Sequence, residues 1–86
     1  MIDLKVRYSA GEFLKIMVLE ERGLTRKWLA EEVGCAETKI SEICNNKRGI
    51  SADFALRLEK VFGISAEMWV TMQAKWELYN ARQKAA

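Results

Sequence analysis

The sequence predicts an all-α fold, a compact domain of five helices, and three observations carry that prediction. Proline is absent, so among helix breakers only five glycines remain. Ser9, Thr25, Ser51 and Ser65 each stand ahead of a segment with helical apolar spacing, where a hydroxyl can accept from the first unpaired backbone amides. Gly23, Gly34 and Gly63 stand where such segments stop. At 86 residues, half of them hydrophobic and 30% charged, the chain suits one domain with one core, and the composition argues against disorder.

The elements follow in order. Residues 1–8, "MIDLKVRY", alternate apolar and polar at Ile2, Leu4, Val6 and Tyr8, a strand period that marks a short extended N-terminal segment. It is either a frayed tail or an edge that pairs with a second protomer or a bound protein. The helical domain spans residues 9–86. Ser9 with Glu12 forms a capping box and Tyr8 with Phe13 a hydrophobic staple, so the first helix starts there. Phe13, Leu14, Met17 and Val18 give it one apolar stripe, and Gly23 ends it. Thr25 caps the second helix, "RKWLAEEVG", with Leu29, Ala30 and Val33 inward and Gly34 as its left-handed stop. The third, "AETKISEICNN", is short and turns Ile40, Ile43 and Cys44 inward. Ser51 caps "ADFALRLEKVFG", with Ala55, Leu58, Val61 and Phe62 on one side. Ser65 caps the last and longest helix, in which Glu67 suits the positive end of the helix dipole.

Several function classes are closed by composition. There is no histidine, and Cys35 and Cys44 have no metal-knuckle spacing, so metal chemistry and histidine-based catalysis have no residues to use. No catalytic residue, metal or cofactor is expected, and the chain is not expected to be an enzyme. At about 1.5 Å of rise per residue the two thiols would lie roughly 12–14 Å apart on one helix, beyond disulfide reach, which fits buried thiols in a reducing cytoplasm. No signal peptide is expected, and the apolar runs are too short for a membrane span. Net charge is +2, with nine Lys/Arg against eight Asp/Glu up to Arg48 and five against four after it. Any basic face must therefore come from local arrangement.

The second and third helices have the pattern of a helix-turn-helix. In "LAEEVGCAETKISEI" a small Ala30 sits where the helices cross, Gly34 in the turn, and Ile40 locks the second helix to the core. On pattern alone, a helical hairpin that only packs fits as well. With Ile40, Ile43 and Cys44 inward, a turn of 100° per residue puts Thr38, Ser41, Glu42 and Asn45 outward, with Lys39 at one flank and Glu37 near the core boundary.

The chain resembles the HigA-type antitoxins, a branch of the lambda-repressor-like (XRE) helix-turn-helix family. The likeness is carried by "GEFL" at Gly11 to Leu14, "GLT" at Gly23 to Thr25, "LAEEVG", "KISEICNNKRGIS" and "ADFALRLEKVFGISAEMWVTMQ". It spans about residues 10 to 79. The resemblance implies a lambda-repressor-like domain and a homodimer on an operator palindrome upstream of its own operon. It also implies a HigB- or RelE-like, messenger-RNA-cleaving toxin neutralised by direct binding. Three departures stand out: Ala10 replaces a proline, Arg26 a glutamine, and Ala36-Glu37 the common Ser-Arg at the start of the recognition helix. The last removes a cap worth about 1 kcal/mol and sets an acid where phosphate would lie.

On this reading Thr25, Arg26, Lys27, Lys39, Lys47 and Arg48 position phosphates, and Thr38, Ser41, Glu42 and Asn45 face the groove. Glu42 either accepts from a cytosine amino group, stays solvated, or pairs with Lys39 or Lys47. Trp28 either packs under its helix or covers a phosphate. In the last helix Trp69 and Met72 close the core, whereas Trp76 and Tyr79 form a dimer interface or partner surface. The competing readings are a protein-interaction module that binds a toxin but little DNA, and a solitary repressor.

Overall fold

Hydroxyl caps and left-handed turns set the helix boundaries in the computed structural model, which describes residues 8–85. The strand-like pattern of residues 1–7 lies outside the described residues. Ser9 opens helix α1 (Ala10–Phe13) with the expected capping box: its hydroxyl accepts from the Glu12 amide at 3.0 Å, and its own amide donates to Glu12 Oε1 at 3.1 Å.

The chain continues without a break into a π-helical segment, Leu14–Glu20. Here amides reach back five residues, as from Glu21 to Ile16 at 3.3 Å and from Leu24 to Leu19 at 2.8 Å. This wider turn corrects the expected apolar stripe. Leu14, Val18 and Leu19 are buried, while Met17, placed inward by ordinary α spacing, is 44% exposed.

Helix α2 (Arg26–Val33) begins at Thr25, whose hydroxyl accepts from the Trp28 amide at 3.0 Å, and ends at Gly34 with φ +74°. A side chain at that φ carries strain that glycine avoids. Helix α3 (Glu37–Cys44) follows after Ala36, which holds the extended backbone of a cap but offers no side-chain acceptor. Ser51 caps α4 (Ala52–Phe62) through the Phe54 amide at 3.1 Å. Two acceptors hold the start of α5 (Ala66–Ala85): Ser65 Oγ takes the Met68 amide at 3.1 Å, and Glu59 Oε2 takes the Ala66 amide at 3.0 Å. No strand occurs among the described residues.

Packing converts these elements into one core. Helix α2 lies on α3 and α4, α1 on α3 and α5, and α4 on α5. Leu14, Leu29, Ile40, Ile43, Ala55 and Leu58 are fully buried at the centre. Each large aliphatic side chain so buried contributes about 1.5–3 kcal/mol. Trp69 closes the core as expected, edge-on to Phe13 with centroids 5.6 Å apart, and Met72 packs against it half-buried. The Trp69 indole N–H is buried with no hydrogen-bond partner among the described residues. Trp28 packs under its own helix, 6.1 Å from the Phe62 ring, and Arg22 lies over the same ring at 5.4 Å. The body measures 41 × 24 × 23 Å. A helix of 20 residues is about 30 Å long, so α5 outgrows the short axes and overhangs the core.

Candidate nucleic-acid interface

Helix α3 is fixed from inside and at its C-terminal end. Ile40 and Ile43 are completely buried and Cys44 nearly so, which decides the outward face. At the C-terminal end α1 comes unusually close. A Cβ on Gly11 would stand 1.9 Å from the Ile43 carbonyl oxygen, so only glycine permits this crossing. Beside it the Ser9 hydroxyl donates to Asn46 Oδ1 while accepting from Glu12. Asn46 takes φ +60°. It closes α3 in a Schellman arrangement, with the Lys47 amide on Glu42 O at 2.8 Å and the Asn46 amide on Ile43 O at 3.2 Å. The loop that follows is held from the other side: Gln73 Oε1 of α5 accepts from the Ile50 amide at 3.4 Å, and Gln73 Nε2 donates to Glu77 at 3.1 Å.

The expected contact residues fall into three groups on this frame. Thr38 is exposed and Ser41 half-buried on the outward side of α3, and Asn45 is exposed just past its end, because the helix stops at Cys44. At the start of α2, Thr25 and Lys27 are exposed and Arg26 half-buried; the Thr25 hydroxyl is engaged in capping. Lys47 and Arg48 are exposed in the loop after α3.

Two positions, Glu37 and Glu42, differ from expectation, and Lys39 sits at the flank of the helix. Glu37 is exposed, since as the first residue of α3 it lies beyond the core edge. Lys39 is half-buried, with Nζ 4.8 Å over the Phe54 ring, so its charge leans on an aromatic face. Glu42 pairs with neither Lys39 nor Lys47. Its Oε1 accepts from Arg48 Nε at 3.1 Å and lies 3.0 Å from Nη2 as an ion pair, because the Schellman turn folds the loop back alongside the helix.

The electrostatics have one further contributor. Burial raises the Cys44 thiol above its ordinary pKa, while the charges of Arg26 and then Lys15 pull it down. The Glu20 carboxylate acts in the opposite sense and adds to the rise. Gln73 and Asn46, which anchor the loop and the end of α3, were not among the expected residues. The double asparagine before Lys47 is the available signal for Asn46, since asparagine tolerates the left-handed region. Trp76 is half-buried and Tyr79 is 40% exposed, both on α5. Both cysteines are free thiols. No described helix is long and apolar enough to cross a membrane.

Comparison with known proteins agrees with this geometry. A helix-turn-helix family model matches residues 16–69. The chain is 40% identical over 73 residues to virulence-associated protein I of Dichelobacter nodosus, covering 85% of this chain and 68% of that one. It is 33% identical over 76 residues to antitoxin HigA-1 of Vibrio cholerae, covering 88% and 71%. Among solved structures, Pseudomonas aeruginosa antitoxin HigA with the higBA promoter superposes with a TM-score of 0.84 at 31% identity, over 90% of this chain and 84% of that one. The outward face of α3, the family match across both helices of the motif and the likeness along nearly the whole chain lead to one conclusion: this chain belongs to the XRE-type helix-turn-helix family, in its HigA-type antitoxin branch.

Proposed function

We propose that the chain is an operator-binding antitoxin that represses its own operon as a homodimer and neutralises a RelE-like, messenger-RNA-cleaving toxin by direct contact. The observation that carries the DNA-binding half is the placement of α3. Its outward face offers Thr38 and Ser41, with Asn45 exposed just past its end, small polar groups that can meet base edges. On either side stand cations, Arg26 and Lys27 at the start of α2 and Lys47 and Arg48 after α3, suited to phosphate. Thr25 and the first amides of α2 add neutral donors at a helix N-terminus. The similar HigA antitoxin of Pseudomonas aeruginosa was solved with its promoter, which supports the same use of this fold here.

The dimer and toxin surfaces belong to α5. Met68 and Tyr79 lie at helical spacing on one side and are well exposed, with Trp76 half-buried beside them. An apolar stripe on an overhanging helix suits contact with another chain.

A reading as an interaction module without DNA binding would lean on the acidic residues of α3. Half of that support is gone, because the Glu42 carboxylate is matched by Arg48. The test is binding of a labelled duplex from the region upstream of the chain's own gene. Thr38→Ala, Asn45→Ala and Arg48→Ala should each weaken binding, with a steep loss on raising salt. Unchanged binding by all three would overturn the assignment. For the toxin half, co-purification with the product of the adjacent reading frame, and relief of its messenger-RNA cleavage, are the expected results.

A further inference from the structure

The Glu42–Arg48 pair has a geometry that bears on how α3 would read DNA. Oε1 of Glu42 faces the side edge of the guanidinium, accepting from Nε at 3.1 Å and lying 3.0 Å from Nη2. Arginine carries five N–H donors in a planar fork. With the side edge occupied, the end edge formed by Nη1 and the remaining N–H of Nη2 donates to nothing among the described residues. That free edge matches a pair of acceptors, the O6 and N7 of guanine or two oxygens of one phosphate.

The backbone of Arg48 is also held on both sides, by the Asn46 turn before it and by Gln73 on Ile50 after it. The pair is half exposed, with side chains 51% and 38% accessible, and surface ion pairs contribute little to stability. Its consequence is orientation.

We propose that Glu42 is a positioning residue, which holds the Arg48 guanidinium side-on so that its free edge meets an acceptor pair on the operator. This rests on the operator-binding reading above and extends it to a residue whose charge alone would argue against DNA. A bare charge argument and this one give opposite signs. If Glu42 only repels phosphate, removing it strengthens binding to any duplex. If it orients Arg48, removing it weakens binding to the operator alone.

The experiment measures affinity of the full chain, by fluorescence anisotropy at one fixed salt concentration, for the upstream duplex and for a scrambled duplex of equal composition. The variants are Glu42→Gln, Glu42→Ala, Arg48→Ala and the double Glu42→Ala/Arg48→Ala, each checked for unchanged thermal melting. Glu42→Ala is expected to weaken operator binding by about tenfold, the scale of one oriented bidentate contact, while leaving or improving binding to the scrambled duplex. In the Arg48→Ala background the same change should produce no further loss, which a purely structural role would not predict. Tighter binding of Glu42→Ala to both duplexes, or an equal loss with and without Arg48, overturns the positioning role while leaving DNA binding intact. A wild-type chain that does not distinguish the two duplexes overturns the operator reading itself. Substituting 7-deazaguanine along the operator then separates the two acceptor classes: an Arg48-dependent loss at one base marks guanine, and its absence marks phosphate.

Discussion

Gly11 shows how one missing side chain fixes the geometry of the recognition surface. Replacing it with alanine would gain about 0.5–1 kcal/mol in helix propensity. The new methyl, however, would lie 1.9 Å from a backbone oxygen of α3, which cannot swing aside as a side chain can. Overpacking of this kind costs about 1–3 kcal/mol, so the clash wins, and Gly11→Ala should lower the urea midpoint. The Cys44 thiol offers a second test at this scale. Its pKa is raised in the folded chain, so its contribution is intact below the ordinary thiol range and is lost as pH rises into and through the raised value. Urea midpoints of the wild type should therefore fall more steeply on the alkaline side than those of Cys44→Ala. Neither position advertises itself in sequence. "GEFL" reads as the start of a helix, but the approach of α1 to α3 is a tertiary fact. Glu42 and Arg48 are six residues apart, a spacing no helix rule pairs, and they meet because the turn at Asn46 reverses the chain.

Elements were far more legible. Ser9, Thr25, Ser51 and Ser65 all act as caps, because a hydroxyl beside unpaired amides is a local matter that needs no fold to be decided. Gly34 and Gly63 take the left-handed conformation for the same reason. The π-helical segment was not legible. The run from Leu14 to Glu20 contains nothing that breaks α spacing, so its wider turn shows only in the structure. Helix α3 carries the weakest start of the set, since Ala36 has cap geometry without an acceptor. Ala36→Ser should supply that acceptor and stabilise the domain by about 1 kcal/mol, raising Tm by about 4–8 °C for a chain of this size. Calorimetry checks it. No gain in Tm would mean that the first turn of α3 is already satisfied by other means.

For the whole molecule, the decisive feature is that the two proposed surfaces sit on different parts of one small body. The α2–α3 pair presents polar and cationic groups, while the overhanging end of α5 carries Tyr79 and the half-buried Trp76. If α5 joins two copies, each copy holds its partner near DNA, and one engaged half-site raises the effective concentration of the other. Tyr79→Asp should then give a monomer by sedimentation and weaken operator binding by about a hundredfold or more, with the thermal melting of the domain little changed. A dimer that survives this change would move the interface elsewhere on the molecule.

The ties at Ser9 and Gln73 also bear on how portable the reading unit is. Residues 25–50 contain both helices of the motif, yet the end of α3 is moored to residue 9 and the loop after it to residue 73. Transplanted alone into another scaffold, that segment would carry its alphabet without its grammar: the same side chains, with neither anchorage that aims them. An exchange of specificity between relatives would need to move Ser9, Gly11 and Gln73 together with the motif.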